Sequence, residues 1–164
     1  MNRLGYTLSV LACALVLVMA CGKVQMADHV QLPGPVTNQD PIVFVHGFAG
    51  WGPEEMLGYS YWGGTQDVIK DLNAHNYPAI AASVGPVSSN WDRACELYAQ
   101  LTGTRVDYGA VHAKRFAHAR YGRTYKKALF PQWGMVEDGK RRRIHLVGHS
   151  EGGQTARLLN YLLV

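Results

Sequence analysis

The stretch Gly148-His149-Ser150-Glu151-Gly152 restricts what this chain can become more than any other. It joins a short apolar run, Ile144 to Val147, to an amphipathic segment that opens at Glu151. Glycines on both sides of a serine, set between a buried strand and a helix, describe a nucleophile elbow. They permit a sharp turn and a close approach of strand to helix, and they lift the hydroxyl above a sheet. There the helix N-terminus favours developing negative charge. A glycine-rich turn with an inward serine is the bland alternative, and the flanking pattern argues against it.

An elbow needs a sheet behind it. Ile42-Val43-Phe44-Val45 is a continuous run of strand formers, as expected where both faces of a parallel sheet are covered, and Gly47 and Gly50 end it. Thr65 to Asn76 reads as a helix with Thr65 as N-cap. "YPAIAASV" reads as a second strand. "SSNWDRACELYAQLTG" reads as a second helix, capped by Ser89 or Asn90, with Trp91, Ala94, Cys95, Tyr98 and Leu101 on its core stripe. Residues 102–139, rich in Gly, His, Arg and Tyr, resist regular assignment, and a loop that long is usually functional or ordered by something. "IHLVG" is the third strand, followed by the third helix. Alternating strands and helices imply α/β architecture, a mostly parallel sheet with flanking helices and the elbow at the last strand-helix turn.

Two segments precede this fold. Residues 1–21 carry an early cation, Arg3, then an apolar run, then small residues before Cys21. That is the layout of a secretory signal, too short for a good membrane span. Cleavage after Ala20 and acylation of Cys21 both fit, so the expected location is extracellular, with or without a lipid anchor at Cys21. Residues 22–40, with Pro33, Gly34 and Pro35, read as a linker, leaving 41–164 as the folded part. Cys21 and Cys95 are too few and too far apart in sequence to suggest a disulfide framework.

Sixteen Lys and Arg stand against twelve Asp and Glu, and Lys140-Arg141-Arg142-Arg143 form one run. The run could suit an anionic surface, transiently a membrane, but a solvated turn leading into a buried strand is the better reading. No aromatic interleaving points to nucleic acid.

Acyl transfer at Ser150 requires two amide donors for the tetrahedral oxygen. The residue after the nucleophile, Glu151, supplies one. The loop after the first strand supplies the other in "VFVHGF", with Phe48 as donor. His46, which precedes the serine in the chain, reads as structural rather than as a base.

"PIVFVHGFAGWG", "YWGG", "VGPVSSNWDRACELYAQLTGTRVDYGA", "HARYGRTY" and "IHLVGHSEGGQTARLL" together resemble the N-terminal half of the secreted lipases of the staphylococcal and thermophilic-bacillus family. The resemblance implies a partial α/β-hydrolase fold and cleavage of triacylglycerol or other carboxylic ester bonds at a lipid-water interface. It also implies a structural zinc held by Asp92, His112 and His118, with a fourth ligand outside this chain. One carboxylate and two imidazoles suit zinc; spacing alone would favour solvated loop histidines, and it is the flanking likeness that points to the metal.

This chain has Glu151 and Gly148 where the family usually has Gln and Ala. An ionised carboxylate beside the hole opposes a developing oxyanion, so Glu151→Gln is expected to raise turnover. Residues 151–164 contain no Asp and no His. The triad order Ser, Asp or Glu, His therefore makes this stretch the front part of a larger enzyme, nearly inert by itself. A non-catalytic exported lipid- or zinc-binding protein and a short-chain carboxylesterase are the competing expectations.

Overall fold

The computed structural model describes residues 39–164. The expected leader, Cys21 and nearly all of the linker lie outside the described residues. Strands β1 (Ile42–Val45), β2 (Ala79–Ala82) and, later in the chain, β7 (His145–Gly148) form a parallel sheet in the order β2-β1-β7. Val43 pairs with Ile80 on one side and Leu146 on the other, and Val45 pairs with Ala82 and Gly148. The central position of β1 explains its unbroken apolar sequence, since Val43 and Val45 are fully buried.

The order of elements is β1, a 3-10 turn at Met56–Gly58, helix α1 (Val68–Ala74), β2, α2 (Asn90–Thr102), β3 (Arg105–Asp107), α3 (Ala110–Phe116), β4 (Tyr121–Thr124), β5 (Val136–Glu137), β6 (Lys140–Arg141), β7 and α4 (Glu151–Leu162). This is mixed α/β with a parallel sheet. Helices α2 and α4 pack on each other, and α4 also packs on β7 and β1. Val43, Val45, Ala82, Val84, Ala94, Leu97, Leu101 and Leu159 make the core between them. Each fully buried leucine there contributes about 2 kcal/mol of apolar burial.

Several expectations shift. Helix α1 starts later than Thr65, because the glycine turn at 63–64 draws Gln66 and Val68 back onto Gly63 and Trp62. Asp67 is its cap, accepting from Ile69 N–H at 3.0 Å and Lys70 N–H at 3.1 Å. Ser89 caps α2 as expected. The buried stripe of α2 is rotated, however: Arg93, Ala94, Leu97, Ala99, Gln100 and Leu101 face inward, while Tyr98 is 43% exposed. The region 102–139 is not one loop. Antiparallel β3 and β4 enclose α3, and a β5–β6 hairpin follows. The basic run lies on that solvated hairpin and its exit, where Arg142 Nε donates to Glu137 at 2.9 Å. Finally, β7 is an edge strand among the described residues, so its apolar Val147 is 39% exposed.

No helix among the described residues is long and apolar enough to cross a membrane.

Candidate active site and metal centre

Ser150 ends the β7 turn with φ 54° and ψ −123°, a backbone conformation that side chains other than glycine rarely adopt. Three packing constraints hold it there. Gly148 backs onto the start of α4, where an added Cβ would stand 2.4 Å from Gly153 N. Gly152 backs onto β1, where a Cβ would stand 2.0 Å from Val45 O. His149 N–H donates to Val45 O at 3.1 Å. The two glycines of the elbow are thus where backbone meets backbone, which is the physical content of the sequence pattern.

The loop after β1 lies directly against the serine. A Cβ on Gly47 would fall 2.9 Å from Ser150 Cβ and 2.9 Å from His149 O. Tyr61 ties the two segments together. Its hydroxyl accepts from Gly47 N–H at 3.1 Å and lies 2.6 Å from His149 Nδ1. Neighbouring amides are engaged elsewhere: Ala49 N–H donates to Pro86 O at 2.8 Å, Gly152 N–H to His149 O at 2.9 Å, and Gly153 N–H to Ser150 O at 3.1 Å. The amides of Phe48 and Glu151 have no acceptor among the described residues. These are the two donors singled out from the sequence. The Phe48 side chain itself is 66% exposed.

His46 is fully buried. Its Nε2 accepts from Val84 N–H at 3.2 Å, which leaves Nδ1 to donate to Gly47 O at 2.9 Å. Burial lowers its pKa, and the nearby Arg93 guanidinium adds to this against opposing backbone bonds. A neutral histidine with both nitrogens engaged is a brace between the loops after β1 and β2.

Arg93 is the buried group that the sequence reading missed. Its side chain is fully buried. Nη1 donates to Gly85 O at 2.7 Å, Nε to Thr155 Oγ1 at 3.0 Å, and Nη2 to His46 O. Burial lowers its pKa, opposed by Glu151 and Glu96. Glu151 Oε2 lies 4.0 Å from Nη1. The Glu151 carboxylate therefore faces a compensating cation, which removes the basis for expecting Glu151→Gln to raise turnover. Gln100 is the second buried polar group on the same helix face; it accepts from Ser83 N–H at 3.0 Å and donates to Ser83 O. A signal was present: Arg93 and Gln100 fall at helical spacing with Leu97 and Leu101, and polar residues inside an apolar stripe mark a buried network.

Beyond Ser150, Trp51, Tyr59, Tyr61, Trp62, Val68 and His149 line a cleft of about 410 Å³. Between Trp51 and Tyr59 in the chain, Met56 is 59% exposed and Leu57 fully exposed, both at positive φ.

On the other side of α2, Asp92, His112 and His118 converge, with one ligand atom from each within 4.8 Å of the others. Asp92 Oδ1 lies 3.1 Å from His112 Nε2 and 3.7 Å from His118 Nε2. The surroundings aim these atoms. Ser89 Oγ donates to Asp92 Oδ2 at 2.8 Å. His118 Nδ1 lies 2.9 Å from Ala119 O, so Nε2 is the nitrogen left facing the aspartate. His112 stacks on Trp91 with ring centres 5.1 Å apart. The donor set and its orientation fit a zinc ion.

Residues 38–164 match the family described as lipase-like, C-terminal domain. Lipase 1 of Staphylococcus aureus is 44% identical over 149 residues, which cover 88% of this chain and 21% of that protein. The structure of lipase 1 from Pelosinus fermentans superposes with a TM-score of 0.74 at 57% identity, covering 77% of this chain and 33% of that one. The crystal structure of Staphylococcus hyicus lipase superposes at 0.69 with 44% identity, covering 82% and 34%. The chain thus spans about a fifth of the length of its curated relative. An elbow serine beside two unengaged amides, and an extended likeness to staphylococcal lipases on the same fold, lead to one conclusion: this chain belongs to the lipase-like, C-terminal domain family.

Proposed function

We propose that residues 41–164 are the nucleophile-bearing part of an α/β-hydrolase domain that cleaves carboxylic ester bonds of lipids, in a protein exported from the cell. The observation that carries this reading is the strained Ser150 packed against Gly47, with the amides of Phe48 and Glu151 left without acceptors among the described residues. In the proposed step, Ser150 Oγ attacks the ester carbonyl carbon and its proton passes to a general base. The carbonyl π electrons move onto oxygen, where the Phe48 and Glu151 N–H groups stabilise the negative charge. Collapse of the intermediate expels the alcohol, which takes up the proton, and leaves the acyl group on Ser150. Water then releases the acid by the same sequence of steps. The flanking histidines are poorly suited to be the base: His46 is buried with both nitrogens bonded, and His149 Nδ1 is bonded to Tyr61.

Zinc at Asp92, His112 and His118 would act structurally. It would link the first turn of α2 to α3 and the turn after it, shaping the segment 102–139. Substrate carried at a lipid-water interface, rather than a small soluble ester, is supported by exposed Tyr59 in the aromatic cleft and by exposed Phe48, Met56 and Leu57 on the chain segment that leads to it.

An alkyl fluorophosphonate tests the proposal on the full-length protein. Ser150 is the expected site of modification, Ser150→Ala abolishes it, and emulsified long-chain esters are hydrolysed in preference to soluble short ones. Modification that persists in Ser150→Ala overturns the nucleophile assignment. A preference for short soluble esters overturns the lipid assignment alone.

A further inference from the structure

The two amides proposed to hold the oxyanion sit on separate segments, the loop after β1 and the start of α4. Something must hold them in register to within tenths of an ångström for both to reach one oxygen. Arg93 touches both segments. Its Nη2 grips His46 O, two residues before Phe48, and its Nε grips Thr155, one turn after Glu151. The Thr155 hydroxyl in turn lies 3.1 Å from Glu151 O. Nη1 holds Gly85 O on the loop after β2. A planar guanidinium can make these three bonds at once in fixed geometry, whereas an ammonium offers one point charge.

Glu151 completes the arrangement. Its Oε2 is buried and has no hydrogen-bond partner among the described residues, and it lies 4.0 Å from Arg93 Nη1. That oxygen is held by charge rather than by a hydrogen bond. Without Arg93 it would be an uncompensated anion on the residue whose amide meets the oxyanion.

We infer that Arg93 is the positioning residue of the oxyanion hole, and that Glu151 balances its charge as well as lending its backbone amide. The inference rests on the serine-hydrolase reading above. Arg93 does not touch the reacting atoms; it acts through His46 O and Thr155.

The test is the rate of Ser150 modification by an alkyl fluorophosphonate in the full-length protein, resolved into the maximal inactivation rate and the inhibitor's binding constant. Arg93→Lys keeps the charge and loses the fork. Its maximal rate is expected to fall by about 10²-fold with the binding constant unchanged. Arg93→Met is expected to be slower still. Adding Glu151→Gln to it should restore the rate several-fold, because the unbalanced anion is gone. A merely structural arginine predicts no such rescue. An unchanged rate in Arg93→Lys, or a double variant no faster than Arg93→Met, overturns the inference. Should Arg93→Met lose its near-ultraviolet circular dichroism, Arg93→Lys decides alone. A wild-type Ser150 that resists the probe overturns the hydrolase reading and this inference with it. That outcome is distinct from a reactive wild type whose Arg93 variants are unaffected.

Discussion

Gly47 and Ser150 touch across the top of the sheet: a methyl group added to Gly47 would come within 2.9 Å of the serine Cβ. The contact exists because Val45 and Gly148 pair in register, so the loops that leave β1 and β7 emerge side by side. Gly47→Ala must push the serine or the Phe48 loop aside. The expected result is a loss of about 10²-fold in Ser150 modification together with a measurable loss of stability, since the new Cβ also meets backbone His149 O at 2.9 Å. Fluorophosphonate kinetics beside a urea melt separate the two effects, and an unimpaired rate would show that the loop yields without consequence.

Ser150 carries backbone strain that glycine would not. At φ 54° and ψ −123°, Ser150→Gly is expected to stabilise the fold by about 1 kcal/mol while removing the proposed nucleophile. Ser150→Ala removes the nucleophile without the gain. Chemical denaturation of the three proteins side by side checks this, and an Ala variant as stable as the Gly variant refutes the strain.

Gly152→Ala should do the opposite. Its new Cβ would meet Val45 O at 2.0 Å, backbone against backbone, with no flexible side chain to give way. A destabilisation of about 3 kcal/mol is expected, read as a lowered denaturation midpoint. A stability close to wild type would mean that β1 and α4 are less closely apposed.

The Asp92, His112 and His118 group should bind zinc and lend stability to α2, α3 and the strands around them. Zinc at 100 times its dissociation constant raises stability by about 2.7 kcal/mol, and a chelator removes that gain. Asp92→Ala or His118→Ala abolishes the dependence in a thermal melt. A melting temperature indifferent to zinc in the wild type would refute the site.

His46 makes stability pH-dependent. Burial lowers its pKa in the fold below the ordinary 6.5, so the unfolded chain takes up a proton first as pH falls. Its contribution is fully present above pH 6.5 and declines below it, until the folded histidine also protonates. The stability difference between wild type and His46→Gln should therefore shrink on acidification. A constant difference from pH 8 to pH 5 would mean that His46 is not buried neutral.

Much of this molecule was legible in its amino-acid order, for local reasons. Unbroken apolar runs marked β1 and β2. The Gly148, Ser150 and Gly152 spacing marked a turn whose backbone approaches only glycine allows, and Ser89 marked the start of α2. Asp92, His112 and His118 were reached through family likeness rather than through spacing, because six positions in an irregular segment do not define a ligand geometry. The short helix α3 and strands β3 and β4 escaped notice because each is too brief for a hydrophobic period to emerge.

The order of residues by itself determined where the chain turns sharply, which runs form buried strands, and which serine sits at the strand-helix turn. These follow from backbone sterics and from the alternation of apolar and polar side chains, and both act over a few neighbours. Only the tertiary structure decided that Arg93 faces inward to Glu151, that Tyr61 bridges Gly47 and His149, and that Phe48 and Glu151 keep unengaged amides. Those outcomes depend on which loops the parallel register brings together, and a hydrogen bond or ion pair between distant residues leaves no periodic trace in the chain.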